Sequence, residues 1–488
     1  ELFRAVAGDP APPPPDDVVA RIVEHCGRLP LAVRIAAARF RGSPGWTLPD
    51  FAARLADEAV RLRTLDDGER SVTAAFTLSY RGLPADQRRM FGLLALHPGR
   101  EVALRGAAAL AGVGVEEAER LLARLHDAHL VVQHPGGYTG FHDLMRAFAI
   151  EHALPDVPPA ERDAAVRRLF DLALATTAAT DELLVPQRYR PRLEPADPPP
   201  VVEVFADREA AMAWLDAEWP NLVALCGYAA DRSWHRGCWQ LAFLLRDFFF
   251  RTKLWDAWIH THRLAVTAAR ADGDANALAM TLNNLGMAHV DRGDLAAASE
   301  YYEEALALFR AADDEPGTTS ALSNLAWVNL YLGDHRTALR DMGAALAAYR
   351  RTGARRNAAI TLRGMALTET ELGAFEDALR HGGEAHDEFR DLGLELDLAM
   401  TLNCLAWTHF RAGRPEEAVA WYERAADTAA RCGSSHEVAR AETGLGNVAA
   451  ATGDHATAHR LWTSAAADTL DPVMVGEERV RRSLAAAS

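Results

Sequence analysis

The sequence predicts a mainly α-helical chain, in which short helices and a small β-hairpin precede a long solenoid of paired helices. Three observations carry this. Glycines recur every 40 residues at Gly293, Gly333, Gly373, Gly413 and Gly453. Two alanine columns keep the same register, one from Ala298 to Ala458 and one from Ala305 to Ala465. Far upstream, Pro135-Gly136-Gly137 stands between two short apolar runs, a lone hairpin signal among helical segments.

A chain of 488 residues is long enough for about three domains. Hydrophobic and charged fractions of 49% and 25% are those of an ordinary globular protein. No apolar run reaches the roughly 20 residues that span a bilayer, and no basic-then-apolar leader opens the chain. A cytoplasmic protein without membrane contact is therefore expected. The opening Glu1-Leu2-Phe3-Arg4 lacks an initiator methionine, so a longer parent is expected. Five cysteines, scattered and never in a CxxC pair, argue against a zinc site or a disulfide framework. Lys253 is the sole lysine beside abundant arginine, alanine and glycine, a composition of GC-rich, actinobacterial type. The net charge of −16 argues against nucleic acid as the direct partner of the chain as a whole.

In chain order, Asp16 or Asp17 can cap a helix that Gly27 ends, and Pro30 opens the next at a first-turn position. Residues 71–130 give four helical segments, separated by Leu83-Pro84, His97-Pro98 and Gly112–Gly114. The hairpin follows: Leu130-Val131-Val132, the Pro-Gly-Gly turn, then Tyr138–Phe141. Helices followed by a two-stranded hairpin describe a winged helix. Ala11–Asp17 and Val185–Pro200 are proline-rich and read as loop or linker.

Three stretches in order resemble the second half of an NB-ARC module of the STAND class of signalling ATPases. They are GRLPLAV (Gly27–Val33), FTLSYRGLP with MFGLLALHP (Phe76–Pro98), and FHDLMRAFAIEHA (Phe141–Ala153), where Phe141 replaces the family's methionine. The resemblance implies that His142 contacts the β-phosphate of ADP, that Asp143 supports the turn presenting it, and that Pro30 packs near the adenine. An imidazole at a loop–helix junction can donate to a phosphate oxygen. A phosphate loop GxxxxGK[ST] is absent, and Lys253 lies in Arg251-Thr252-Lys253-Leu254. ADP or ATP is thus expected only in the longer parent, on an upstream nucleotide core, with no cofactor and no enzyme activity in this chain alone.

Direct DNA binding is disfavoured: residues 71–151 balance eight arginines against eight carboxylates, and the candidate recognition helix begins Glu116-Glu117-Ala118-Glu119. In the family a separate domain binds DNA. No GxSxG elbow is present, so no catalytic or metal residues are assigned. His289 and His409, at equivalent repeat positions, read as interhelical packing.

The repeat unit is a helix–turn–helix: the glycine ends one helix, and Asp294, Asp334 or Asp454 caps the next. A column of Leu285, Leu325, Met365, Leu405 and Leu445 supplies the buried stripe, and a single pair cannot bury it alone, so neighbours stack. The glycine–alanine–alanine spacing, with aromatics at Tyr302, Tyr422 and Trp462, resembles the tetratricopeptide repeat, with a period of 40 rather than 34 and no closing proline. Joined to NB-ARC motifs, it is similar to actinobacterial regulators of the antibiotic-regulatory-protein type. That register places Met287, Trp327, Leu367, Trp407, Asn283, Arg363 and Asn403 on a concave groove, a site for a protein or peptide ligand. Residues 276–470 carry 28 acidic and 17 basic side chains, which favours a basic partner. The expected layout is a helical subdomain (1–70), a winged helix (71–155), a helix and proline-rich linker (156–205), degenerate repeats (206–275), five repeats (276–470) and a tail prone to fray (471–488). Two functions follow: a sensor biasing a nucleotide switch, or a repeat scaffold without switching, with a DNA-binding module less favoured.

Overall fold

The computed structural model describes residues 2–7, 16–26, 30–41, 46–56, 72–186, 190, 191, 193, 202–465, 470 and 475–485. The chain divides into two compact units, Glu1–Thr180 with Arg192–Tyr228, and Asp181–Pro191 with Ala229–Ser488. Most of the proline-rich stretches 11–17 and 185–200, and Gly27, lie outside the described residues.

In the first unit, α1 (Leu2–Ala7) packs on α3 (Pro30–Arg41), and α2 (Asp16–His25) on α4 (Leu48–Ala56). Phe40 joins them, its ring 6.3 Å from Phe3 and 5.6 Å from Phe51. Next come α5 (Val72–Arg81), α6 (Ala85–Leu94), β1 (Glu101–Ala103), α7 (Leu104–Ala111), α8 (Val115–Asp127), β2 (Val132–His134), β3 (Tyr138–Gly140) and α9 (Asp143–Phe148). The hairpin expected from Pro-Gly-Gly is present, with Gly136 and Gly137 at φ 82° and 81°. The sheet has a third strand that the sequence did not announce: β1 pairs antiparallel with β3, giving the order β1-β3-β2. Three residues are too few for an alternation pattern, so β1 escapes a periodicity reading. The long α10 (Pro159–Leu184) secures α7, because Arg168 donates to the terminal carbonyls of Ala109 and Leu110 at 2.8 and 2.7 Å. α11 (Arg208–Asp231) follows it.

Among the described residues, the second unit is a solenoid of six helix pairs. They are α12 (His235–Thr252) with α13 (Trp255–Asp272), α14 (Ala275–Asp291) with α15 (Leu295–Ala311), and α16 (Glu315–Tyr331) with α17 (His335–Thr352). α18 (Arg355–Leu372) with α19 (Phe375–Asp391), α20 (Glu395–Arg411) with α21 (Pro415–Arg431), and α22 (Ser435–Ala451) with α23 (His455–Ser464) complete the pairs. The turn period is half the repeat. Every twentieth residue from Ser233 to Gly453 has positive φ, and Ser233, Lys253 and Asp313 hold that place where the others are glycine. The 40-residue glycine column thus marks only the first helix of each pair; Gly273, Gly353, Gly393 and Gly433 end the second.

Asp294, Asp334 and Asp454 cap their helices, accepting from the backbone N–H of Ala297, Thr337 and Thr457. Within pairs, bulk on one helix meets a small residue on the other. A Cβ on Gly286 would fall 2.7 Å from the Tyr302 ring, and one on Gly446 would fall 2.4 Å from Trp462. Where the second helix offers Met342 instead, the facing residue is Ala326, and the two share one buried cluster.

Each first helix also packs on the next first helix, as α18 does on α20 and α20 on α22. Successive second helices make no comparable contact among the described residues. The first helices therefore form the inner row of a curved stack. Residues 471–488, expected as a fraying tail, contain α24 (Gly476–Ala485), on which Glu477 and Glu478 are fully buried. It begins 41 residues after α22, in the place of a further first helix.

Candidate functional site

In the first unit, two of the three motif stretches meet in one aromatic cluster. Phe91 lies 5.7 Å from Tyr80, 5.4 Å from Phe141 and 6.4 Å from Phe148, and Phe76 contacts Phe148 edge-on at 5.7 Å. Phe141, standing where the resembled family has methionine, is thus a packing residue. The Tyr80 hydroxyl donates to Asp156 at 2.7 Å, and burial with that carboxylate holds its pKa well above the ordinary value. The segment before β1 is pinned as well: Arg146 donates to the carbonyls of His97 and Gly99 at 2.7 and 2.5 Å. The Gly99 N–H donates to Nδ1 of buried His97, whose pKa burial pushes down to about 4.

This scaffold presents His142 at the start of α9. Its backbone carbonyl accepts from Met145 and Arg146, while its exposed side chain makes no capping hydrogen bond. The imidazole is free to donate, and in that respect His142 fits a role toward a phosphate oxygen. Asp143 begins α9 and Pro30 begins α3, but their side chains lie outside what is described.

In the solenoid, the seven residues expected on the groove divide into two groups. Asn283, Met287, Trp327 and Leu367 lie on α14, α16 and α18 and are partly exposed. Asn283 accepts from Asn324 Nδ2 at 2.9 Å, and the Trp327 ring lies 6.0 Å from Tyr331. Arg363, Asn403 and Trp407 are buried. Arg363 lies over the Trp327 ring at 5.8 Å and pairs with Asp397 at 3.5 Å. Asn403 donates to Glu437 Oε2 at 2.9 Å. Trp407 donates from Nε1 to Glu371 at 3.3 Å, and Gly476 of α24 closes over its ring. The inner stripe is open over its first half and closed over its second.

The closed half holds charged residues that sequence reasoning missed. Arg356 and Arg363 converge on Asp397, and Arg440 lies between Glu437 and Glu477. Arg440 raises its pKa through these two carboxylates, while His436, Arg440 and Asn403 hold Glu437 well below the usual carboxylate range despite burial. A signal was available: Asp397, Glu437 and Glu477 are a further register at the 40-residue spacing. Of the paired histidines, His289 is buried against Asp294 at 3.1 Å and His409 stacks on Trp421; burial lowers the pKa of both. They serve packing between helices. No described helix is long and apolar enough to cross a membrane.

Comparison with known proteins agrees with the repeat reading. A family model for the tetratricopeptide repeat matches residues 277–351 and 397–467. The chain is 34% identical over 322 residues to a regulatory protein AfsR of Streptomyces griseus, covering 64% of this chain and 32% of that protein. A regulatory protein AfsR of Streptomyces coelicolor is 34% identical over 309 residues, covering 62% and 30%. The chain thus spans about a third of the length of these curated relatives. Among solved structures, a STAND protein with a tetratricopeptide repeat sensor from Pyrococcus horikoshii aligns with a TM-score of 0.40 at 14% identity, covering 93% of this chain and 68% of that one.

Proposed function

We propose that this chain, a tetratricopeptide-repeat relative of the AfsR regulatory proteins, is the sensor and regulatory portion of a signal-transduction regulator. The observation that carries the reading is the open inner stripe, Asn283, Met287, Trp327 and Leu367, on the first helices of a repeat array. A tryptophan and a methionine beside amide groups offer what a protein or peptide ligand needs, an apolar anchor with polar groups that fix register. Trp327→Ala should weaken capture of a cognate protein or peptide by tenfold or more, in a chain that still folds although its melting temperature falls with the loss of packing on Arg363 and the Met342 cluster. Unchanged capture would remove the stripe from the reading.

The finer part of the proposal concerns switching. The winged helix, residues 71–155, closes over ADP held by a nucleotide core of a longer parent, with His142 donating to the β-phosphate. The exposed imidazole at the start of α9 supports this, as does the absence of any capping task for it. When bound, the nucleotide supplies the two-state signal; the residues here supply one donor and a rigid aromatic mount for it. Calorimetry of ADP on the longer parent tests the role. His142→Ala should cost about 1.5–3 kcal/mol, the worth of one charge-assisted hydrogen bond. An unchanged affinity would leave the chain as a repeat scaffold without nucleotide control. DNA contact is assigned to a separate domain, because Glu116 and Glu117 open α8 where phosphates would have to approach.

A further inference from the structure

The closed half of the inner stripe carries more than a lid. α24 is ten residues long, and a helix of that length is marginal in water on its own. Its order therefore comes from its seat, which joins an apolar end, Val475 clustered with Ala439, Ala465 and Leu470, to a polar centre. The Glu477 carboxylate accepts from Arg440 Nε at 3.1 Å and from the Tyr422 hydroxyl at 3.3 Å. Asn447 Nδ2 donates to the Glu477 backbone carbonyl at 2.7 Å. Gly476 lies on the Trp407 ring so closely that a Cβ there would fall 2.8 Å from it. Arg479 reaches Glu371 on α18 at 3.4 Å, three first helices away.

A helix that only capped the last pair would need α22 and nothing further. This one spans the inner face back to α20 and α18. Its departure strands no charge, since Arg440 keeps Glu437 and Glu477 passes to water. Buried ion pairs give back little more than their desolvation costs, so the Arg440–Glu477 pair adds specificity to the seat more than strength. What departure uncovers is a guanidinium, a phenol hydroxyl, an amide N–H donor and an indole face.

We propose that this half of the inner face is a carboxylate-reading docking site, kept occupied by the chain's own α24 and opened when an acidic helical segment of a partner protein displaces it. The segment carries a small residue followed by a glutamate, as Gly476-Glu477 does, because Trp407 excludes a side chain at the first place and Arg440 receives the second. The acidic balance of the repeats points to a basic partner elsewhere on the surface; at this site the local donors decide. The proposal deepens the partner-binding reading and rests on it for its biological sense, but uses different residues from the open stripe.

The test uses the full chain and a fluorescent peptide of residues 475–485. Gly476→Leu should unseat α24, and Glu477→Gln should do so without added bulk. In both variants, hydrogen exchange of 477–485 should rise while 395–411 and 435–451 stay protected, and the peptide should bind at least tenfold tighter than to the unsubstituted chain. A peptide with Glu477→Gln should bind at least tenfold weaker than the native one. Loss of protection through 395–411 and 435–451 would make α24 an integral part of the stack and overturn the proposal. So would a peptide that binds neither variant, or one indifferent to the glutamate. Because Trp327→Ala leaves this assay untouched, failure of the open stripe and failure of this site are told apart.

Discussion

Tyr422 and Gly444 show how little slack the helix interfaces have. A Cβ on Gly444 would fall 2.2 Å from the Tyr422 ring, and that ring is fully buried. Gly444→Ala should therefore destabilise the chain by about 1–3 kcal/mol, although alanine favours the helix, because overpacking outweighs propensity here. Denaturant titration would show it as a lower midpoint; a raised midpoint would mean that the ring moves aside freely. Asp313 gives the opposite case. It is exposed at φ 52° in a place that most other turns give to glycine. Asp313→Gly should stabilise by up to about 1 kcal/mol, by relief of the left-handed strain. A third residue acts through protonation. Burial lowers the pKa of His97 to about 4, so the unfolded chain binds a proton there before the folded one does. Its contribution is complete above about pH 6.5 and is lost as pH falls toward 4, up to about 3 kcal/mol. Thermal melts at pH 7 and pH 4.5 should differ more for the native chain than for His97→Gln; equal differences would acquit His97.

At the scale of elements, what was legible depended on whether a signal was repeated or singular. Five copies of one register exposed the first-helix turns and the caps at Asp294, Asp334 and Asp454. The second-helix turns share the same period, but Asp313 breaks their glycine column, so the 20-residue spacing stayed hidden. Non-repeated elements had no such help. β1 is three residues long, and α24 has buried glutamates where an amphipathic reading looks for leucine. Side-chain class also misled at the groove: Trp407, Asn403 and Arg363 sit in the same columns as the exposed residues, and only tertiary contact with Gly476, Glu437 and Asp397 buries them. His142 is singled out by a motif resemblance alone, since one histidine at a helix start has no periodicity to betray it.

Across the whole molecule, the two units are held by different means. The first relies on an aromatic cluster and on arginines, Arg146 and Arg168, that satisfy loop and helix-end carbonyls far along the chain. The second is held by neighbour-to-neighbour stacking, with left-handed turns at a constant interval of 20 residues. That constancy is a statement about phase. Cutting out one full period, for instance 315–354, rejoins Asp314 to Arg355, and a first helix again follows a second at its proper rotation. Such a shortened chain should remain folded with one turn of its stack missing, whereas excision of 37 residues with both ends inside helices should turn the second part of the rejoined helix by about 60° at 100° per residue and carry its apolar residues off the buried stripe. In the coding sequence the tolerated unit is 120 nucleotides. The stack can gain or lose length by duplication or deletion at that one stride, like a chain of links whose size its glycines keep fixed.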